Sequence, residues 1–182
     1  MTSRIRTSRT LSLADSIEMA PVASEHAATI VHWRNDPLNK SMFLSKHDFS
    51  LESQYAWIER QQRDPSDFTY VAMLDNKPVG MVAIYDIDER RRCGEYGRIL
   101  VDRTRRRQGI GITISNRVLS MAFLSLGMDL IYANCFSENK PIFTLLSSLG
   151  FQPTVNWRHA SSQRDVIRLE VTSSAWKQLS CE

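Results

Sequence analysis

The chain has 182 residues, 42% of them hydrophobic and 24% charged, which suits one globular domain with a real core. Its net charge of +3 is uneven: Arg4, Arg6 and Arg9 crowd the first ten residues, and residues 90–107 carry eight arginines against Glu95 and Asp102. Charge this local argues against a nucleic-acid-binding coat and for one anion site. The most apolar run, Val118 to Leu126, falls far short of the ~20 residues of a membrane span. Cys93, Cys135 and Cys181 form no CxxC pair, which fits the reduced thiols of a cytoplasmic protein. The four histidines lack metal-ligand spacing, so no metal is expected.

Residues 1–12 are Ser/Thr/Arg-rich without an apolar segment and are expected to be a disordered tail, with residues 13–182 forming a single domain. A short strand is expected at Ile17–Met19. Ser24 can cap a helix running to about Trp33, which Asn35-Asp36-Pro37 breaks. Ser50 is the N-cap candidate of a second helix from about Leu51 to Arg63. The period then changes to two: Phe68–Leu74 and Val79–Tyr85 read as a hairpin around Asp75-Asn76-Lys77-Pro78. Glu89–Gly94 reads as a charged turn and Glu95–Val101 as a strand with Glu95, Gly97, Ile99 and Val101 on one face. Gly109–Leu126 is the clearest helix, with Ile114, Val118, Ala122 and Leu126 as its apolar stripe. Leu130–Phe136 is a strand, Asn139–Leu149 a helix with Gly150 at its C-cap, and Phe151–Trp157 and Val166–Val171 are the last strands. The sum is an α/β (α+β) fold, a mixed sheet of about seven strands with helices on it.

The most informative segment is Val101-Asp-Arg-Thr-Arg-Arg-Arg-Gln-Gly-Ile-Gly111. A strand runs into a two-glycine turn that opens the long helix. The first N–H groups of a helix lack intrahelical partners and its dipole adds positive charge, so this is a phosphate cradle beside four arginines. It is neither a P-loop, since Ile112-Thr113 follows the second glycine, nor a dinucleotide fingerprint, since the third glycine is missing. A glycine turn beside solvated arginines is the competing account.

Arg106-Arg107-Gln108-Gly109-Ile110-Gly111 resembles the R/Q-x-x-G-x-G/A signature of the GNAT N-acetyltransferases, and Asn139…Leu149-Gly150-Phe151 resembles that family's second motif. The resemblance implies helices on both faces of the sheet and a splay between its two central strands. It implies acetyl-CoA as co-substrate, its pyrophosphate on the backbone of Arg106, Arg107, Gln108, Gly109, Ile110 and Gly111, running on to Ile112. It also implies a pantetheine arm along Ile99, Leu100 and Val101, with Asn139 and Phe143 near its end. Glu95 stands where some members carry a glutamate base, or it pairs with Arg92 or Arg98. Where many members have an acidic tyrosine this chain has Leu146, on an apolar stripe. Tyr132, Ser137 and Ser147 are the hydroxyls near it in sequence.

The acceptor implied is a small-molecule primary amine, with no nucleic-acid or membrane partner; a homodimer is compatible with the resemblance. Trp33-Arg34-Asn35-Asp36-Pro37, Met42-Phe43, His47 and Trp57 resemble the subgroup that acetylates the 4-amino group of nucleotide-linked amino sugars. Trp33, Arg34, Asn35, Met42 and His47 are its substrate candidates, with Arg34 suited to a diphosphate. Trp33 and Trp57 equally suit a core, Arg34 a helix end, and His47 a surface loop. The alternatives are an N-terminal, ribosomal-protein-type peptide acetyltransferase, favoured by the net −3 outside residues 90–107, and a non-catalytic acetyl-CoA sensor.

Overall fold

The computed structural model describes residues 12–44 and 48–180. The chain runs α1 (Leu13–Ser16), β1 (Glu18–Pro21), a 3₁₀ turn (Ser24–His26), α2 (Ala27–Asn35), α3 (Pro37–Lys40), α4 (Leu51–Gln61), β2 (Phe68–Leu74), β3 (Lys77–Asp88) and β4 (Cys93–Val101). A 3₁₀ turn (Arg103–Arg105) leads into α5 (Ile110–Ser120), which ends in a π turn (Met121–Ser125). Then follow β5 (Leu130–Phe136), α6 (Lys140–Ser148), β6 (Gln152–Arg158), β7 (Asp165–Thr172) and α7 (Ser173–Ser180). Caps fix several starts. Ser50 and Ser53 satisfy each other's backbone N–H at 3.0 Å, Asp36 caps α3, and Ser12, which the sequence assigns to a loose tail, caps α1 with Asp15. The tail arginines and Cys181 lie outside the described residues.

The sheet has seven strands in the order β1-β2-β3-β4-β5-β7-β6. Every pairing is antiparallel except β4 with β5. That parallel pair holds for only three positions, Cys93–Leu130, Gly94–Ile131 and Glu95–Tyr132, after which the strands part. The splay expected from the resemblance is therefore present, and it is open where β4 runs on to the glycine turn.

Two apolar layers bury the sheet. On one face Ile110, Ile114, Val118 and Phe123 of α5 and its π turn, with Leu146 and Trp176, pack on Val82, Ile84, Tyr96, Ile131 and Leu169. On the other, Ala27, Ile30 and Trp33 of α2 and Ile58 of α4 pack on Val71, Met81 and Leu100. Leu146 is fully buried, so the apolar-stripe account of that position holds; its burial contributes on the order of 2 kcal/mol.

One expectation fails inside β4. Glu95, Gly97, Ile99 and Val101 do not share a face. Gly97 opposes Ala83 and Leu100 opposes Met81, so two residues, Arg98 and Ile99, stand against Val82 alone. This β-bulge, with Arg98 at φ 52°, turns the strand over. Before it, Tyr96 packs on the α5 face and Glu95 points away; after it, Ile99 and Val101 pack on the α5 face and Leu100 on the α2 face. Strict alternation has no way of announcing the extra residue.

Candidate active site

The splay opens into a cleft of about 830 Å³. Its walls are Gly97 to Val101 of β4, Ala133 to Cys135 of β5, the start of α5 and, from α6, Asn139, Pro141, Ile142, Leu145 and Leu146. Arg34, Leu38, Asn39, Met42, Phe43 and Leu44 close the α2 side.

At one end stands the glycine turn. Gly109 is the N-cap of α5 at φ 80°, a left-handed conformation costly for any residue with a Cβ. A Cβ there meets nothing within 4 Å, and one on Gly111 meets only Val101 and Leu145 at 3.7 and 3.9 Å, both cleft residues. The turn is thus open above, with the unpaired N–H groups of the helix start facing it. Arg105, Arg106 and Arg107 line this end and are exposed. The rest of the basic cluster is elsewhere. Arg91 and Arg92 pair with Asp88 and Asp129 at the far end of β4, roughly 25 Å away at ~3.3 Å per residue. The charge that looks continuous in sequence is spread along a whole strand.

The cleft residues expected from the sequence, Ile99, Leu100, Val101, Arg106, Arg107, Gly109, Ile110, Gly111 and Asn139, all line it. Asn139 also caps α6. Gln108, Ile112 and Phe143 do not reach the wall. Gln108 turns to the Thr104 carbonyl, while Ile112 and Phe143 pack against the α5-side layer.

At the other end lies Glu95. The Tyr85 hydroxyl donates to its Oε1 at 2.8 Å. Burial pushes its carboxyl above the ordinary value, offset in part by hydrogen bonds from Tyr85 and Asn134. The alternative of an ion pair with Arg92 or Arg98 does not hold, since Arg98 pairs with Asp67 at 2.6 Å and donates to Thr69. Tyr85 can lie here because Gly97 has no side chain: a Cβ would fall 2.7 Å from its hydroxyl. Arg98 stacks on Tyr85 and Trp57, 4.1 and 5.1 Å from the ring centroids. Burial and the neighbouring Glu95 raise the Tyr85 phenol, so it stays protonated and keeps donating. A half-buried carboxylate with a raised pKa, at the end of an open cleft, can take a proton from an amine.

The substrate candidates divide. Arg34 and Met42 line the cleft. Trp33 does not: it is 3% exposed in the α2-side core, its Nε1 donating to Asp102 at 3.0 Å. Asn35 is used by the loop, exchanging hydrogen bonds with the Phe49 backbone. His47 lies outside the described residues. Of the hydroxyls near Leu146 in sequence, none lines the cleft. Tyr96 does, but its hydroxyl is tied to Ser115, which donates to the Gly111 carbonyl at 2.6 Å. Tyr85, Gly97, Arg98 and Asn134 were missed. They come from three strands, and Tyr85 is signalled only by its place opposite Glu95 across the hairpin.

Among the described residues no group of His, Cys, Asp and Glu could hold a metal, and no helix is long and apolar enough to cross a membrane.

A profile for the acetyltransferase (GNAT) domain matches residues 17–152. The chain is 31% identical over 119 residues to the SPbeta prophage-derived uncharacterized N-acetyltransferase YokL of Bacillus subtilis (strain 168). That match covers 64% of this chain and 66% of the relative, just under two thirds of its length. The spermidine N-acetyltransferase of Vibrio cholerae, solved with CoA and spermine, superposes with a TM-score of 0.81 at 18% identity, over 89% of this chain and 98% of that one. A structure described as a probable acetyltransferase gives 0.78 at 15% identity, over 89% and 96%. At such identities the likeness is one of fold.

Proposed function

The chain belongs to the GNAT acetyltransferase family, and from that premise we propose that it transfers the acetyl group of acetyl-CoA to a primary amine of a small molecule. The observation that carries this reading is one cleft with an open helix start at one end and a half-buried carboxylate at the other. The residues fit the co-substrate: a glycine turn with free space above it, flanking arginines, and the β4 edge left unpaired beyond Glu95. The N–H groups at Gly109, Ile110 and Gly111 take the pyrophosphate, with Arg106 and Arg107 supplying charge, and the backbone of Ile99–Val101 takes the extended arm. Acetyl-CoA supplies an acyl group activated as a thioester.

Glu95 removes the proton that the amine must lose, directly or through one water, and Tyr85 holds the carboxylate in place. Leu146 leaves that position without a proton donor, so the departing thiolate takes its proton from water. For the acceptor the finer reading is the 4-amino group of a nucleotide-linked amino sugar. Arg34 and Met42 on the cleft wall support it; Trp33 and Asn35 contribute only to structure. A peptide N-terminus is less well served, because Glu95 is the one carboxylate on the described wall.

The test is thiol release from acetyl-CoA with UDP-linked 4-amino sugars, polyamines and N-terminal peptides in parallel. Turnover on an amine, lost in Glu95→Gln, supports the assignment. Acetyl-CoA binding without turnover on any amine would mark a sensor, and activity on peptides alone would exclude the sugar.

A further inference from the structure

Among the described residues Arg34 stands apart from the other enclosed arginines: Arg117 spends its N–H groups on the Ile17 and Ala14 carbonyls, and the rest have carboxylate partners. Arg98 has Asp67, Arg164 has Glu138 and Arg168 has Glu170. The guanidinium of Arg34 lies over Phe49 at 4.1 Å and Phe43 at 5.3 Å, and among the described residues it makes no ion pair with a carboxylate. It opens on the cleft beside Leu38, Met42 and Phe43. Burial and the nearby charge of Arg98 lower its pKa to about 10, so the fold holds this cation against an electrostatic cost. Aromatic faces compensate a desolvated guanidinium only in part. They leave its N–H edge, the one that binds carboxylates and phosphates in pairs, for another partner.

We infer that Arg34 is the anion-reading subsite of the acceptor: the amine acetylated here belongs to a molecule that also carries a carboxylate or a phosphate, held by Arg34 while the nitrogen reaches Glu95. The inference rests on the acetyltransferase reading and narrows it. Tyr85, which donates to Glu95, lines the same cleft wall as Arg34. The cleft wall carries Arg34, Arg98, Arg105, Arg106 and Arg107 against Glu95 alone. A polycation such as spermidine would meet the like charge of Arg34 at the acceptor end, with Glu95 as the one carboxylate on the described wall to offset it. A zwitterion or an anionic amine sets its own charge against Arg34 and leaves Glu95 for its nitrogen.

The experiment is a thiol-release assay on matched pairs of amines: β-alanine against its amide, glucosamine against glucosamine 6-phosphate, a UDP-linked amino sugar against the free amino sugar, and spermidine alone. The anionic member of at least one pair should exceed its neutral match by about 10- to 100-fold in kcat/KM, the range of one charged hydrogen-bonded contact. The carboxylate and phosphate arms tell which anion it is. In Arg34→Met that ratio should collapse toward one through KM, and Arg34→Lys should keep part of it; melting and acetyl-CoA binding report whether each variant is folded. If Arg34→Met does not fold, the wild-type ratios still decide. Equal or better use of the neutral members, or a preference for spermidine, would overturn the subsite and leave the acetyltransferase reading standing. Absence of thiol release with every one of these amines would overturn both.

Discussion

At the α5 end of the cleft, Arg105, Arg106 and Arg107 stand in solvent around an open glycine turn. At the β3 end, Arg34 and Arg98 are folded between aromatic rings beside a half-buried carboxylate. Exposed charges act at long range and are screened within about 8–10 Å at ordinary salt; they suit the capture of a polyanion such as the proposed co-substrate. Enclosed charges escape that screening and fix geometry, so they decide which molecule fits. Under the proposed function, the difference puts co-substrate capture on the rim and acceptor selection in the interior.

The sharpest way to separate the two ends is Glu95→Gln, which should lower kcat/KM by about 10²–10⁴ with acetyl-CoA still bound. The wild type should gain activity as pH rises through the raised pKa of Glu95, and the variant should lack that acidic limb. A raised carboxyl pKa means that the fold prefers the neutral form, and the stability this confers is complete below the ordinary carboxylate value and lost as pH rises through the folded pKa. Glu95→Gln should therefore melt above the wild type at neutral pH, and the gap should close on acidification. Equal melting at both pH values would show that Glu95 is relaxed in its site.

Next in size, Arg98→Met leaves Asp67 enclosed without its partner and should cost about 3 kcal/mol in denaturant unfolding, with little salt dependence. A loss below 1 kcal/mol would place this pair in the screened class instead. Gly109→Ala should cost about 1–2 kcal/mol through its left-handed backbone. Gly111→Ala should keep the melting temperature, because its Cβ has room, yet weaken acetyl-CoA binding in a calorimetric titration. Smallest of all, Arg106→Gln or Arg107→Gln should weaken acetyl-CoA about threefold at low salt and hardly at all in 0.5 M salt. A salt-independent loss would contradict a rim role.

Most of this architecture was legible. Phe68–Leu74 and Leu130–Phe136 match their strands to the residue because apolar alternation and turn residues agree there, and the glycine turn declares itself through charge and helix period together. Helices α1, α3 and α7 were missed: the first two are single turns capped by Ser12 and Asp36, and the last follows β7 directly with no breaker between. The interior end of the cleft was half legible. The resemblance marks Glu95, but its hydrogen-bond partners Tyr85 and Asn134 come from β3 and β5, and only folding brings them to it. Trp33 shows the converse. Aromatic and part of the segment that resembles the amino-sugar subgroup, it is spent on the core and on Asp102.

The bulge at Arg98 gives β4 two reading frames. Up to Gly97, odd-numbered side chains look toward the acceptor side; from Ile99 on, they look toward α5. One strand thereby writes its carboxylate on one wall and its Ile99 and Val101 on the other. Deleting any single residue between Glu95 and Val101 would cancel the frame change. The chain would have to sink Glu95 into the apolar layer or lift Val101 out of it. Within this strand, the count from carboxylate to glycine turn can change only by two residues at a time.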